Sequence, residues 1–208
     1  MKIVNNFLPS SLLKTIEQQV INNVRFPWYV HTDISKAPTR EVCKEINYVN
    51  NQTGLQHVLF DEPQGGPISS YYSLFSPIVF ALEENFNVKI NRLIRFRLGL
   101  TLNIGESGCH YSHTDYDIPH NTCLIYLNNS DGDTVFYNEK LNDNYKELTV
   151  HSRNKPVKNQ AVLFDGLQYH SSSVPEKNIT RIALNINFQW YNILYGFYSW
   201  FFIRIFYK

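Results

Sequence analysis

Apolar positions recur along this chain first with the period of a helix and then with the period of a strand. Behind Pro9-Ser10-Ser11, the residues Leu12, Leu13, Ile16, Val20, Ile21 and Val24 lay one apolar stripe along a helix, with a serine available as N-cap. Residues 26–66 keep no period: Phe26-Pro27-Trp28-Tyr29, scattered Asn and Gly, and the breaker Pro63-Gln64-Gly65-Gly66-Pro67 predict loop with short strands, able to cover a site. From Ser70 to about Asn87 an apolar run predicts a second helix, with Pro77 near its start or kinking it. Beyond it the pattern becomes short alternating or wholly apolar runs at 93–104, 122–127, 134–137, 147–151, 160–164 and 181–190, separated by Asn, Asp, Gly, Ser and Pro. Two helices followed by many short strands predict a mainly β, α+β fold with flanking N-terminal helices and a sandwich or barrel of jelly-roll type.

At 208 residues the chain fits a single domain that can bury a core without disulfides or structural metal. The expected layout is helical support over about 9–88, a jelly-roll core over about 92–190, and an aromatic tail over 191–208. That tail has thirteen uncharged residues from Tyr191 to Ile203, too short and too aromatic for a membrane span of about 20 residues. A final strand or helix packed on the core is expected there, with an interfacial membrane or protein contact as the alternative. Nineteen basic against eighteen acidic residues, a net charge of +1, give no electrostatic footprint for nucleic acid. Three cysteines, Cys43, Cys109 and Cys123, lack C-x-x-C spacing and predict a reducing compartment, the cytoplasm. The opening Met1-Lys2-Ile3-Val4-Asn5-Asn6 has no signal-peptide pattern, so export by that route is not expected.

The candidate chemistry lies in His113-Thr114-Asp115 and, far downstream, His170 and Arg181. Alone, an H-x-D tripeptide is a weak signal. In an extended stretch, however, His113 and Asp115 share a face and reach one ion, and two imidazoles with a carboxylate suit iron(II) while leaving positions open. Phe164-Asp165-Gly166-Leu167-Gln168-Tyr169-His170 reads as a buried strand and a turn that delivers His170; Arg181 opens the next strand, where its planar guanidinium can clamp a carboxylate. Asp117 competes with Asp115 but lies further along. Cys109, His110 and His113 form a zinc-like cluster with no second pair at finger spacing. Arg95 and Arg97 alternate with Phe96 and Leu98 and therefore share a face; a solvated sheet face is expected, and approach to an anionic substrate is the alternative.

The order H-x-D, the strand Ile125-Tyr126-Leu127-Asn128, a G-D-T-x-F strand, F-D-G-x-x-x-H and R-x-x-L-N resembles iron(II)/2-oxoglutarate-dependent oxygenases of the prolyl-hydroxylase-like branch. Within that branch it is most similar to small bacteriophage oxygenases, which share the Asn6-Phe7-Leu8-Pro9 and Phe26-Pro27-Trp28-Tyr29 segments. The resemblance covers about residues 3–190 and implies a double-stranded β-helix, cupin-like. It implies His113, Asp115 and His170 as catalytic iron ligands, Arg181 on the distal carboxylate of 2-oxoglutarate, and Tyr126 hydrogen-bonding that same carboxylate. Ala183 departs from the Ser or Thr of many relatives, and Asn103 stands where a tyrosine often lines the co-substrate pocket. The implied reaction uses oxygen, with ascorbate as a reductant, and hydroxylates a peptidyl residue such as proline or a small metabolite, releasing succinate and CO2. The competing class is a non-catalytic jelly-roll binding or virion-associated module. Loops within 28–66 and 138–158 carry substrate choice.

Overall fold

The computed structural model describes residues 1–35 and 43–191. The chain opens with β1 (Lys2–Asn5) and helix α1 (Ser10–Ile16), which runs on as one wide π turn over Glu17–Ile21. Then come β2 (Tyr29–His31), β3 (Gly54–Asp61), the short β4 (Gly66–Pro67), and helices α2 (Tyr72–Phe75) and α3 (Ile78–Phe86). The remainder is strand: β5 (Lys89–Leu102), β6 (Asn121–Tyr126), β7 (Thr134–Lys140), β8 (Val150–Asn154), β9 (Gln160–Asp165), β10 (Gln168–Ser172) and β11 (Thr180–Tyr191).

These strands form two antiparallel sheets. The larger has the order β1-β9-β6-β11-β5-β3-β2, with β4 on β3; the smaller has β10-β7-β8. Strand periodicity explains why the central strands are apolar throughout. Cys123, Ile125, Ala161, Leu163, Ile182, Leu184, Ile186, Phe96 and Leu98 face one way, into a core shared with Ile16 and Val20 of the first helix and Ile78, Leu82 and Phe86 of α3. The alternate positions Leu124, Tyr126, Val162, Phe164 and Ala183 face the small sheet and meet Phe136. Residues between these two layers therefore look into the jelly roll.

The expected mainly β jelly roll with N-terminal helices is what the chain forms. Two expectations need correction, and the expectation for Pro77 holds. The first helix is shorter than its apolar stripe, because Val24 stands fully exposed beyond it, and Pro9 occupies the cap position with no side-chain cap, although serines follow. Residues 54–61, expected within loop, form an eight-residue strand hydrogen-bonded to β5, and β1 and β2 also join the large sheet, so the helical support contributes strands. Pro77 splits the second helix into α2 and α3. Among the described residues no helix is long and apolar enough to cross a membrane. The tail expectation falls on 192–208, outside the described residues.

Candidate metal centre

His113 and His170 are locked together by the main chain. His113 N–H donates to the His170 carbonyl (2.9 Å) and His170 N–H to the His113 carbonyl (3.0 Å), a one-pair bridge that sets the rings 4.7 Å apart. His170 thus sits inside β10, just after the turn that follows β9, as expected. The ligand atoms of His113, Asp115 and His170 all lie within 4.8 Å of one another, the one such grouping among the described residues. Exposed Asp117 is not in it, nor are Cys109 and His110.

Each ring is oriented by the carbonyl two residues before it. His113 Nδ1 lies 3.1 Å from the Tyr111 carbonyl and His170 Nδ1 3.1 Å from the Gln168 carbonyl. A carbonyl only accepts, so both Nδ1 atoms carry the proton and both Nε2 lone pairs are left for an ion. Asp115, 2 % exposed at its side chain, takes Arg95 Nη2 on Oδ1 (2.7 Å) and the amides of Asn185 and Asn187 on Oδ2 (3.0 and 2.9 Å). Thr122 Oγ1 reaches Oδ2 as well, at 3.5 Å, so Oδ2 is fully engaged while Oδ1 takes only Arg95 and keeps a lone pair for a metal. Two imidazoles and a carboxylate on one side of an ion fit iron(II).

Protonation favours the same state. Burial would raise the Asp115 pKa, but Arg95, with His170 and Arg97 behind it, holds the carboxyl well below its usual range. Burial, aided by His170, lowers His113 to about 4, and burial lowers His170 as well. At neutral pH the trio is one anion and two neutral imidazoles, ready for a cation. His110, likewise buried, is lowered to about 4. Unfolded imidazoles protonate near pH 6.5, and these two do so in the folded protein only near pH 4. Between those values the unfolded chain binds more protons, so stability is complete above pH 6.5 and is lost as pH falls toward 4. At about 1.4 kcal/mol per unit, the metal-free protein should lose several kcal/mol across that window. Urea midpoints from pH 7.5 to 4.5 check this, and a flat series contradicts it.

Arg181 lines a cavity of about 80 Å³ that His113 and His170 also line, together with Leu124, Thr134 and Ala183. It is 7 % exposed. Its Nη2 donates to Thr134 Oγ1 (2.7 Å), its Nε has no partner, and its guanidinium lies 5.4 Å over the Tyr126 ring. Gly132 permits that position, since a Cβ there would meet the Ser173 carbonyl at 2.7 Å and Arg181 Cδ at 3.2 Å. The Tyr126 hydroxyl is paired with Thr134 Oγ1 (2.8 Å) and Asn154 Nδ2 (3.3 Å), and Tyr126 does not line the cavity. Asn103 also lies elsewhere, donating to the Glu176 carbonyl. The cross-strand pair Gly99 and Ala183 keeps the cavity floor open, which gives Ala183 a physical role.

Sequence reasoning gave no task to Thr134, Asn185 or Asn187, although Thr134 and Asn185 stood inside the quoted motifs. It also expected Arg95 and Arg97 in solvent. Their side chains are 15 % and 17 % exposed, because that face of β5 looks into the jelly roll beside Asp115.

No protein-family model matches the chain, and no curated protein does. Solved structures do. A 2OG-Fe(II) oxygenase-family oxidoreductase from Burkholderia pseudomallei superposes with a TM-score of 0.61 at 11 % identity, over 90 % of this chain and 84 % of its own. Its fold is the one this chain adopts. HygX from Streptomyces hygroscopicus, solved with nickel, 2-oxoglutarate and hygromycin B, gives 0.55 at 10 % identity over 89 % and 81 %. A prolyl hydroxylase from Trichoplax adhaerens, in complex with a hypoxia-inducible-factor peptide, gives 0.54 at 18 % identity over 90 % and 82 %. At these identities the likeness is one of fold, and the site argument rests on the side chains above.

Proposed function

We propose that this protein is an iron(II)- and 2-oxoglutarate-dependent dioxygenase that hydroxylates a C–H bond of a peptidyl residue, such as proline, or of a small metabolite. The observation that carries this reading is one cavity lined both by His113 and His170, which group with Asp115 as possible ligands of one ion, and by the buried Arg181, whose Nε has no partner among the described residues. Iron(II) with 2-oxoglutarate and O2, and ascorbate to restore the metal, supplies the oxidising chemistry, with succinate and CO2 as products. His113, Asp115 and His170 hold the metal. Arg181 and Thr134 bind the distal carboxylate of the co-substrate, and Tyr126 acts through Thr134 by orienting its hydroxyl. Arg95, Asn185 and Asn187 keep Asp115 ionised and its plane fixed. The apolar walls Leu124 and Ala183 exclude water from the co-substrate stem. The metal and 2-oxoglutarate in HygX and the peptide held by the Trichoplax enzyme support a reading of this kind.

Three free, buried cysteines agree with a cytoplasmic setting, the host cytoplasm for a phage-encoded chain, and we read 1–208 as one domain. The test is succinate release from 2-oxoglutarate under air, with iron(II), in the native protein and in His113→Ala. Metal-dependent succinate that the variant fails to form supports the reading. Equal succinate in both would end it.

Gly99→Val supplies a narrower test. A Cβ at this strand position meets only the Ala183 carbonyl, at 3.9 Å, so valine fits the backbone but fills the cavity floor. Crowding of about 1–3 kcal/mol predicts roughly tenfold or more weaker 2-oxoglutarate binding with metal affinity unchanged, measured by calorimetry.

A further inference from the structure

Charge is out of balance at this site. Asp115 is the single carboxylate at the metal centre, and Arg95 takes it at 2.7 Å. Arg97 approaches the same oxygen only to 3.9 Å, beyond hydrogen-bond reach, and its buried Nε has no partner among the described residues. With a divalent metal and three arginines against Asp115, a dianionic co-substrate and Asp133, which acts on Arg181, positive charge remains in excess by one. A buried guanidinium whose one nearby carboxylate is already hydrogen-bonded to another arginine works against stability and marks a place where a ligand brings a second anion.

The cavity shows where that ligand enters. Arg97 lines it together with His113, His170, His31, Ile34 and Gln56. His31 Nδ1 is a second buried polar atom with no partner. Arg97, His31 and Gln56 also line a wider cleft of about 320 Å³ whose rim holds Arg95, Tyr116 and Asp61. Tyr116 lies under the Arg95 guanidinium at 5.1 Å, and the Asp61 carboxylate accepts from Gln64. The cleft therefore joins solvent to the metal centre through Arg97.

We propose that the substrate of this oxygenase carries an anionic group, a carboxylate or phosphate ester, held by Arg97 and His31 beside the metal. This rests on the function proposed above. A planar guanidinium with free donors binds either anion in a bidentate manner, and fixing that group places a neighbouring C–H bond at the metal. Arg95 is not the anchor, because it is spent on Asp115 and Asn187.

The test uses the full chain loaded with manganese(II) and saturating 2-oxoglutarate, titrated calorimetrically with three probes. These are N-acetyl-aspartyl amide, N-acetyl-phosphoseryl amide and the neutral N-acetyl-asparaginyl amide. One or both anions should bind more tightly than the neutral probe. Arg97→Gln should weaken the anion by about 10- to 100-fold, Arg97→Lys by less, and 2-oxoglutarate affinity should stay within about threefold. Whichever of the carboxylate and phosphate probes binds more tightly identifies the class. Removing a buried cation that makes no hydrogen bond among the described residues should also raise the melting temperature of the ligand-free protein, as a purely structural arginine would not. Anions no tighter than the amide, anion binding unchanged in Arg97→Gln, a 2-oxoglutarate loss in its place, or a lowered melting temperature would each overturn the proposal. If metal and 2-oxoglutarate fail to bind while the metal-free chain still prefers anions through Arg97, the oxygenase reading falls and the anion site stands.

Discussion

His170→Ala is expected to abolish turnover and to weaken metal binding by more than the roughly 10- to 100-fold typical of losing an outer-shell partner. The fold should survive, because what His170 gives the structure is largely main-chain. Its N–H and carbonyl make the bridge to His113, and alanine keeps both. What is lost is the imidazole, its Nε2 ligand atom and an edge contact with Phe164 at 5.0 Å. Metal analysis after dialysis, beside a thermal melt, checks this, and a variant that keeps metal at native stoichiometry contradicts it. Asp115→Ala is a poorer probe. It strands Arg95 as a buried cation, and breaking a buried pair costs about 3–5 kcal/mol, so metal loss and unfolding would be confounded.

Arg181→Gln is the second large effect. The guanidinium donates to Thr134, keeps its Nε unpaired, and is buried where solvent cannot replace it. Charge-assisted hydrogen bonds are worth about 1.5–3 kcal/mol each, so losing the pair should weaken 2-oxoglutarate binding by roughly a hundredfold or more. Metal affinity should not move, since Arg181 pairs with Thr134 and stacks on Tyr126 and holds none of the three candidate ligands. Thr134→Val should weaken the co-substrate by about tenfold through one lost hydroxyl. Tyr126→Phe should do less, because its hydroxyl reaches the cavity only through Thr134. Equal co-substrate affinity in native protein and Arg181→Gln would remove the arginine from the co-substrate site.

The grouping of His113, Asp115 and His170 was legible in sequence through the order of its motifs more than through the tripeptide itself, since residues 113–115 form an isolated bridge and a bend, not a strand. His170 and Arg181 were legible as motif members, although the bridge that holds His170 to His113 links residues far apart and has no local signature. The surrounding shell was much less legible. Arg95 and Arg97 alternate with apolar residues as any half-solvated strand would. Only the register of β11 on β5, pairing Asn185 with Arg97 and Asn187 with Arg95, shows that their face looks inward. Thr134 was hidden for a similar reason: it meets Arg181 and Tyr126 by packing between sheets. Residues 54–61 were missed as a strand because Gly54, Gln56 and His57 blur the alternation, while pairing with β5 decides the outcome. The helix ends were misjudged because apolar periodicity ran past the last residue that packs.

The most direct measurement is an anaerobic titration of the metal-free protein with iron(II) and then 2-oxoglutarate, following the visible metal-to-ligand charge-transfer band of the chelate. The account predicts a band that saturates at one equivalent of each, is absent in His170→Ala, and needs far more 2-oxoglutarate in Arg181→Gln. A folded native protein that binds neither, or that gives no band with both, would contradict it.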